Sequence, residues 1–187
     1  HRYTFPLSNK EALIKINLAQ GIGWDKMTEC KFSQENNKLV TGYRYSTGWA
    51  KDQKVYFAAE FSQPVQLVKT EQDSVGVFSV GHNPQPLLVK VGLSAVSIDN
   101  AKANLKAEIP GWNFDEVAAN ADKSWNDELS KIKVTGSNDD DKTVFYTCLY
   151  HSMFSPSTFS DVNGEYRGAD GKVHKGDFTN YTIFSLW

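Results

Sequence analysis

Apolar and polar residues alternate with a period of two in three early stretches. Ile14, Ile16 and Leu18 are separated by Lys15 and Asn17; Val55, Phe57, Ala59 and Phe61 repeat the pattern, and so do Leu87, Val89, Val91, Leu93 and Ala95. Successive side chains of a strand point to opposite faces, so each stretch predicts a strand with one buried face. His1-Arg2-Tyr3-Thr4-Phe5 reads as a further strand. Turn formers stand between these runs: Gly21-Ile22-Gly23, Asn36-Asn37, Gln72-Asp73 and His82-Asn83-Pro84. Short strands with one-sided burial and frequent turns predict an antiparallel sandwich.

The period becomes helical near Ser97. Asp99 can cap a helix in which Ile98, Ala101, Leu105 and Ile109 share a face, and Pro110-Gly111 ends it. A second helix is predicted from Phe114, Val117, Ala118, Ala121, Trp125, Leu129 and Ile132, with Asn113 or Asp115 as cap and Gly136 beyond its end. A third starts at Asp139-Asp140-Asp141, where acids suit the positive end of the helix dipole, and runs through Val144, Phe145, Cys148, Leu149 and His151 toward Pro156. Patterning then fades into a Gly- and Asp-rich stretch, Ser160 to Lys172, before an aromatic run from Tyr181 to Trp187. The fold class expected is α+β: an antiparallel β-sandwich over 1–96, a helical linker over 97–136, and the opening helix and loop of a helical unit over 137–187.

A chain of 187 residues fits one large domain, or one domain and a piece of another, and can bury a core without disulfides. Net charge is −2 with both signs interspersed, so no basic face invites nucleic acid. No apolar run approaches the ~20 residues that span a bilayer. Cys30 and Cys148 lie far apart without C-x-x-C spacing, and each is read as a buried free thiol. His1, His82, His151 and His174 lack ligand spacing; His151, on the apolar side of the third helix, reads as a core histidine. No Ser-His-Asp order and no Gly-rich phosphate loop appears. The chain starts without Met and stops inside an apolar-aromatic run, so it is expected to be a piece of a longer protein.

Several residues carry two readings. Trp187 and Phe184, with Ser185 as a polar companion, can wall a sugar ring or fill a core. Trp49 can face a glycan or pack against the linker. Tyr43 and Tyr45 point one way and Arg44 the other, as an anchor at a domain junction. Asp25 and Lys26 read as a surface pair. Asp161, Glu165, Asp170 and Asp177 offer oxygens to calcium, yet the stretch lacks the twelve-residue loop with a closing Glu, and turn chemistry explains the same residues.

Three collinear blocks make the chain specific. They are Gly42-Tyr43-Arg44-Tyr45-Ser46-Thr47-Gly48-Trp49-Ala50-Lys51 leading into Val55-Tyr56-Phe57, Leu149-Tyr150-His151-Ser152-Met153 with the Ser160-to-Gly171 loop, and Tyr181 through Trp187. In this order they resemble the glycoside hydrolase family 92 α-mannosidases of bacteria, over essentially the whole chain. The resemblance implies a supersandwich-like β-sandwich joined by helices to an (α/α)6 barrel, of which only the first helix and loop are present. It implies an inverting, calcium-dependent exo-mannosidase of the α-1,2 type acting on N-glycans in the periplasm, at the cell surface or secreted.

The same resemblance places both catalytic carboxyls and most calcium ligands beyond Trp187. No catalytic residue, no metal ligand and no bound Ca2+ are therefore expected in this chain, which should be inert alone. Trp187, Phe184 and Ser185 are the expected substrate-binding residues. Expected partners are a mannose-containing glycan and the rest of the barrel. The alternative is a non-catalytic carbohydrate-binding or scaffolding sandwich, with Trp24, Trp49 and Tyr56 as a flat sugar platform.

Overall fold

The structure is a computed structural model in which residues 1–48, 50–136 and 138–182 are described. The expectations for Trp49, Phe184, Ser185 and Trp187 lie outside the described residues. In chain order the strands are β1 (Arg2–Tyr3), β2 (Glu11–Asn17), β3 (Lys26–Asn36), β4 (Leu39–Thr47), β5 (Gln53–Phe61), β6 (Gln66–Glu71), β7 (Val75–His82) and β8 (Leu87–Ser94). Helices α1 (Ile98–Glu108), α2 (Phe114–Leu129) and α3 (Asp139–Ser152) follow. Four short strands come last: β9 (Ser157–Thr158), β10 (Glu165–Arg167), β11 (Val173–Lys175) and β12 (Tyr181–Thr182). They divide into two compact units. One holds His1–Trp112 and Ser160–Phe178; the other holds Asn113–Phe159 and, of the described residues, 179–182.

The first unit is the predicted sandwich. A five-stranded sheet runs β1-β8-β5-β4-β3 and a three-stranded sheet runs β2-β7-β6, with every pair antiparallel. Both sheets feed one core: Val40, Phe57, Ala59, Phe61, Leu87 and Val89 from the larger, Phe78 from the smaller, and Val65 from the loop between them. Ile14, Ile16 and Leu18 pack against it, as their alternation predicts. Fully burying such side chains stabilises by about 1.5–3 kcal/mol each. The alternation of β8 is only half used, because Leu87 and Val89 are buried while Val91 and Leu93 on the same face stay exposed. Left-handed backbone at Gln72, Asp73 and Asn83 falls in the turns the sequence marks.

Helix α1 covers the other face of the five-stranded sheet. Ala101 and Leu105 sit with Ala58 and Leu39 in a second, smaller core. Gly92 makes the approach possible, because a Cβ there would stand 2.3 Å from the Ala101 carbonyl oxygen. The cap is Ser97 rather than Asp99: its extended backbone lets Oγ accept from the Asn100 amide at 3.1 Å. Asp99 instead lies exposed in the first turn.

In the second unit Asn113 caps α2 by accepting from the Glu116 amide at 3.2 Å. The helix ends at Leu129 rather than running on to Ile132, since Ser130 already closes it against the Asn126 carbonyl. Its apolar stripe is not buried in this chain, with Val117 and Ile132 each about half exposed. Trp125 does meet α3, its ring centroid 4.5 Å from Tyr150 in edge-to-face geometry. His151 is exposed rather than a core residue, because Leu149 and Tyr150 take the more covered positions of that turn. Both cysteines are free, but Cys30 is only half-buried and Cys148 exposed, against the expectation of buried thiols. Among the described residues no helix is long and apolar enough to cross a membrane.

Candidate functional site

The most concentrated polar chemistry of the first unit gathers where β8 ends and α1 begins. Asn100 and Asn104 are one helical turn apart and therefore share a face, beside the Ala101 and Leu105 positions that grip the sheet. Onto that face folds the start of the Ser160–Phe178 loop. Asp161, 7 % exposed, accepts from Ser94 Oγ at 2.6 Å and Asn100 Nδ2 at 2.7 Å through Oδ2, and from Asn104 Nδ2 at 2.7 Å through Oδ1. Asn104 returns the contact, since its Oδ1 accepts the Val162 amide at 2.9 Å and its second N–H reaches the Leu93 carbonyl at 2.8 Å.

The loop is built to present that carboxylate. The Gly164 amide donates to the Asp161 carbonyl at 2.9 Å, and Gly164 has φ of 82°, a turn that glycine adopts without Cβ strain. Glu165 accepts from Asn100 Nδ2 at 2.9 Å and Asn163 Nδ2 at 3.1 Å, which hold its carboxyl below the usual range. Arg167 Nε donates to the Ala95 carbonyl at 2.8 Å, and Nη1 to Gly171 at 2.8 Å. Strands β10 and β11 close the hairpin, and Asp170 pairs with His174 at 3.0 Å, which lowers the Asp170 pKa.

Burying a carboxylate is costly unless every lone pair finds a donor. Here three donors meet the two oxygens, and no buried side-chain nitrogen or oxygen among the described residues lacks a partner. The four loop acids are therefore not gathered for a metal. Asp161 and Glu165 are occupied by amide and hydroxyl donors, Asp170 faces His174, and Asp177 is exposed. Among the described residues no three His, Cys, Asp or Glu groups are placed to hold a metal ion.

The tyrosines of the first sequence block form a second cluster. The β4–β5 register sets Tyr43 opposite Tyr56, and Tyr43 stacks on Tyr45 at 4.6 Å. The Tyr45 and Tyr56 hydroxyls lie 2.8 Å apart, and the Tyr43 hydroxyl donates to Glu29 Oε1 at 2.7 Å. Burial, then the Tyr56 hydroxyl, push the Tyr45 phenol well above its ordinary pKa. Tyr56 thus belongs to a closed trio of rings, whereas Trp24 is largely exposed.

Arg44 points to the opposite side, as the alternation requires, and there it pairs within the first unit. Its Nε donates to the Leu18 carbonyl at 2.9 Å and its Nη2 pairs with Asp25. Asp25 is consequently the partner of Arg44 rather than of Lys26, and its pKa is lowered chiefly by that hydrogen bond.

The loop acids were legible as turn formers, and Asp161 as an oxygen donor, but its burial was not. The missed residues are Ser94, Asn100 and Asn104. The available signal was two asparagines spaced four apart beside the apolar pair of α1, where a solvent-facing helix gains nothing from asparagine.

Comparison with known proteins agrees over the entire length. Residues 1–94 match the glycosyl hydrolase family 92 N-terminal domain, and residues 100–187 match the glycosyl hydrolase family 92 catalytic domain. The family GH92 α-mannosidase BT3965 of Bacteroides thetaiotaomicron is 31 % identical, with a TM-score of 0.85 over all of this chain and 28 % of its own. The inverting mannosidase BT2199 of the same species shares the fold at 22 % identity and a TM-score of 0.77, over 97 % of this chain and 26 % of its own. A curated relative described as an uncharacterized secreted glycosidase, from Arthroderma benhamiae, is 34 % identical over 86 residues, 44 % of this chain and 11 % of its own. The chain thus spans little more than a quarter of the solved relatives it matches.

Proposed function

This chain belongs to glycosyl hydrolase family 92, and from that premise we propose that the whole protein is an inverting α-mannosidase. It removes terminal α-linked mannose, of the α-1,2 type, from N-glycans. The observation that carries this reading is the agreement with an α-mannosidase over every part of the chain at 31 % identity. That enzyme has also been seen in complex with mannoimidazole.

Inversion requires a protonated carboxyl to give the leaving oxygen its proton and a carboxylate to activate water, about 6.5–9.5 Å apart. On this reading both belong to barrel segments beyond Trp187, together with most of the calcium ligands. The loop acids of this chain do not fit a calcium site, so no step runs through the ion here. Trp187 and Phe184 wall the sugar, with Ser185 beside them, since pyranose C–H faces stack on aromatic rings. The sandwich, α1 and the Asp161 loop act as scaffold. A secreted location accords with the description of the curated relative.

The test is an assay of the full-length gene product on α-mannosides, following the anomer released by NMR. Release of β-mannose that a chelator abolishes and calcium restores is expected. Retention of configuration, or the absence of mannoside cleavage, overturns the reading.

A further inference from the structure

An open cleft of about 630 Å³ lies within the first unit, between the end of β3, the β5–β6 loop and the paired ends of β2 and β7. Its volume falls within the range of small-ligand pockets, about 300–1,000 Å³. Two β-bulges shape it. The register of β2 on β7 passes from Gly81 to Ser79, which makes Val80 the extra residue. That of β3 on β4 passes from Gln34 to Asn36, which makes Glu35 extra. Val80 and both neighbours of each bulge line the cleft. A bulge re-aims side chains and recurs beside functional sites.

The lining is held from behind while its outer groups stay open. Gln34 uses both ends of its amide, since Nε2 donates to the Val65 carbonyl at 2.7 Å and Oε1 accepts from the Leu67 amide at 3.0 Å. Buried Ser79 donates to Glu11 Oε1 and accepts from the Gly81 amide at 3.1 Å, which aims the carboxylate and leaves its second oxygen open. Asn36 Oδ1 takes the Lys38 amide at 2.8 Å and keeps its N–H₂ group for another acceptor. Among the described residues the exposed side chains of Asn37 and Gln66 make no hydrogen bond.

We propose that this cleft is a binding site for a short neutral saccharide. The hydrolytic reading uses none of its residues, and the chemistry of the lining selects the ligand class. Glu11 is the sole charge in that lining, so an anionic ligand would meet a carboxylate and no cation. A purely apolar ligand would leave the carboxylate and the amides of Asn36, Asn37 and Gln66 unpaired. These planar groups pair with neighbouring hydroxyls, each of which both donates and accepts. Pro64, Val65 and Val80 give carbon surface to the C–H face of a sugar ring. That the saccharide contains mannose rests on the mannosidase reading.

The experiment titrates the full-length protein, isotope-labelled at its valine methyls, with S-linked α-1,2-mannobiose, which resists hydrolysis. Val65 and Val80 report on the cleft directly, and Val75, at the far end of β7, is the control. The Val65 and Val80 signals are expected to shift saturably with a Kd of about 1–10 mM, while Val75 stays in place. Glu11→Gln keeps the volume and the Ser79 contact, and should weaken binding about tenfold through loss of a charge-assisted hydrogen bond. Asn37→Ala/Gln66→Ala should weaken it by about fivefold. Both variants alter exposed side chains, and cleavage of 4-nitrophenyl α-mannoside should stay within about twofold of wild type.

Cleft signals unmoved at about 50 mM saccharide, equal shifts with inorganic sulfate, or unchanged affinity in both variants would overturn the proposal. Cleft binding by a protein that cleaves no mannoside overturns the hydrolytic reading alone, and cleavage without cleft binding overturns the cleft alone.

Discussion

Arg44 shows how far a single position can be read from alternation. Its place between Tyr43 and Tyr45 puts it on the opposite side of β4, and there it holds the Leu18 carbonyl and the Asp25 carboxylate. Removing it leaves Asp25, less than a third exposed, without its ion-pair partner. Arg44→Ala should cost about 1–2 kcal/mol at pH 7 in urea unfolding, above the 0–1 kcal/mol of an exposed pair. The Asp25 pKa is depressed in the folded state, so its contribution is complete above its unfolded value near 3.9 and is lost as pH falls through the folded value. The stability gap between wild type and Arg44→Ala should accordingly narrow below about pH 4. A gap that stays constant down to pH 2 would show that the ion pair is not its source.

At the scale of elements, α1 was predicted and its partner surface was not. The helix follows from Ala101, Leu105 and the Pro110-Gly111 stop, but its docking depends on Gly92, a strand residue opposite Ala58 that carries no helical signal of its own. Gly92→Ala should destabilise the sandwich unit by about 1–3 kcal/mol, since the obstacle is the helix backbone rather than a movable side chain. Ser97→Ala should cost about 1 kcal/mol through the lost cap. Asp99→Ala should cost less, and thermal unfolding of the three variants ranks them. The stripe of α2 is the converse case: the period of 3.6 is present, yet Val117 remains half exposed in this chain. Periodicity states which residues can share a face; it does not state what covers that face.

For the whole molecule, the sandwich was legible because both inner faces obey period two, and the family because three blocks keep their order over the full chain. The 187-residue chain alone is expected to release no mannose from α-mannosides under conditions where the full-length enzyme does, as measured by reducing-sugar or NMR assay. Turnover by the short chain would show that the catalytic carboxyls had been misplaced. The expectations for Trp187, Phe184 and Ser185 lie outside the described residues, so the sugar wall rests on resemblance, whereas the Asp161 anchor rests on geometry.

Local order is what the sequence by itself determined: strands from alternation, helices from the 3.6 period and their caps, turns from Gly, Asn and Asp. Each of these signals is carried by residues close together in the chain. The tertiary structure alone decided the rest. Asp161 finds Ser94, Asn100 and Asn104 across sixty or so residues, and Arg44 finds Asp25 instead of leaving it to Lys26. A buried carboxylate and a solvated one are written with the same letter, and only the donors that fold around it tell them apart.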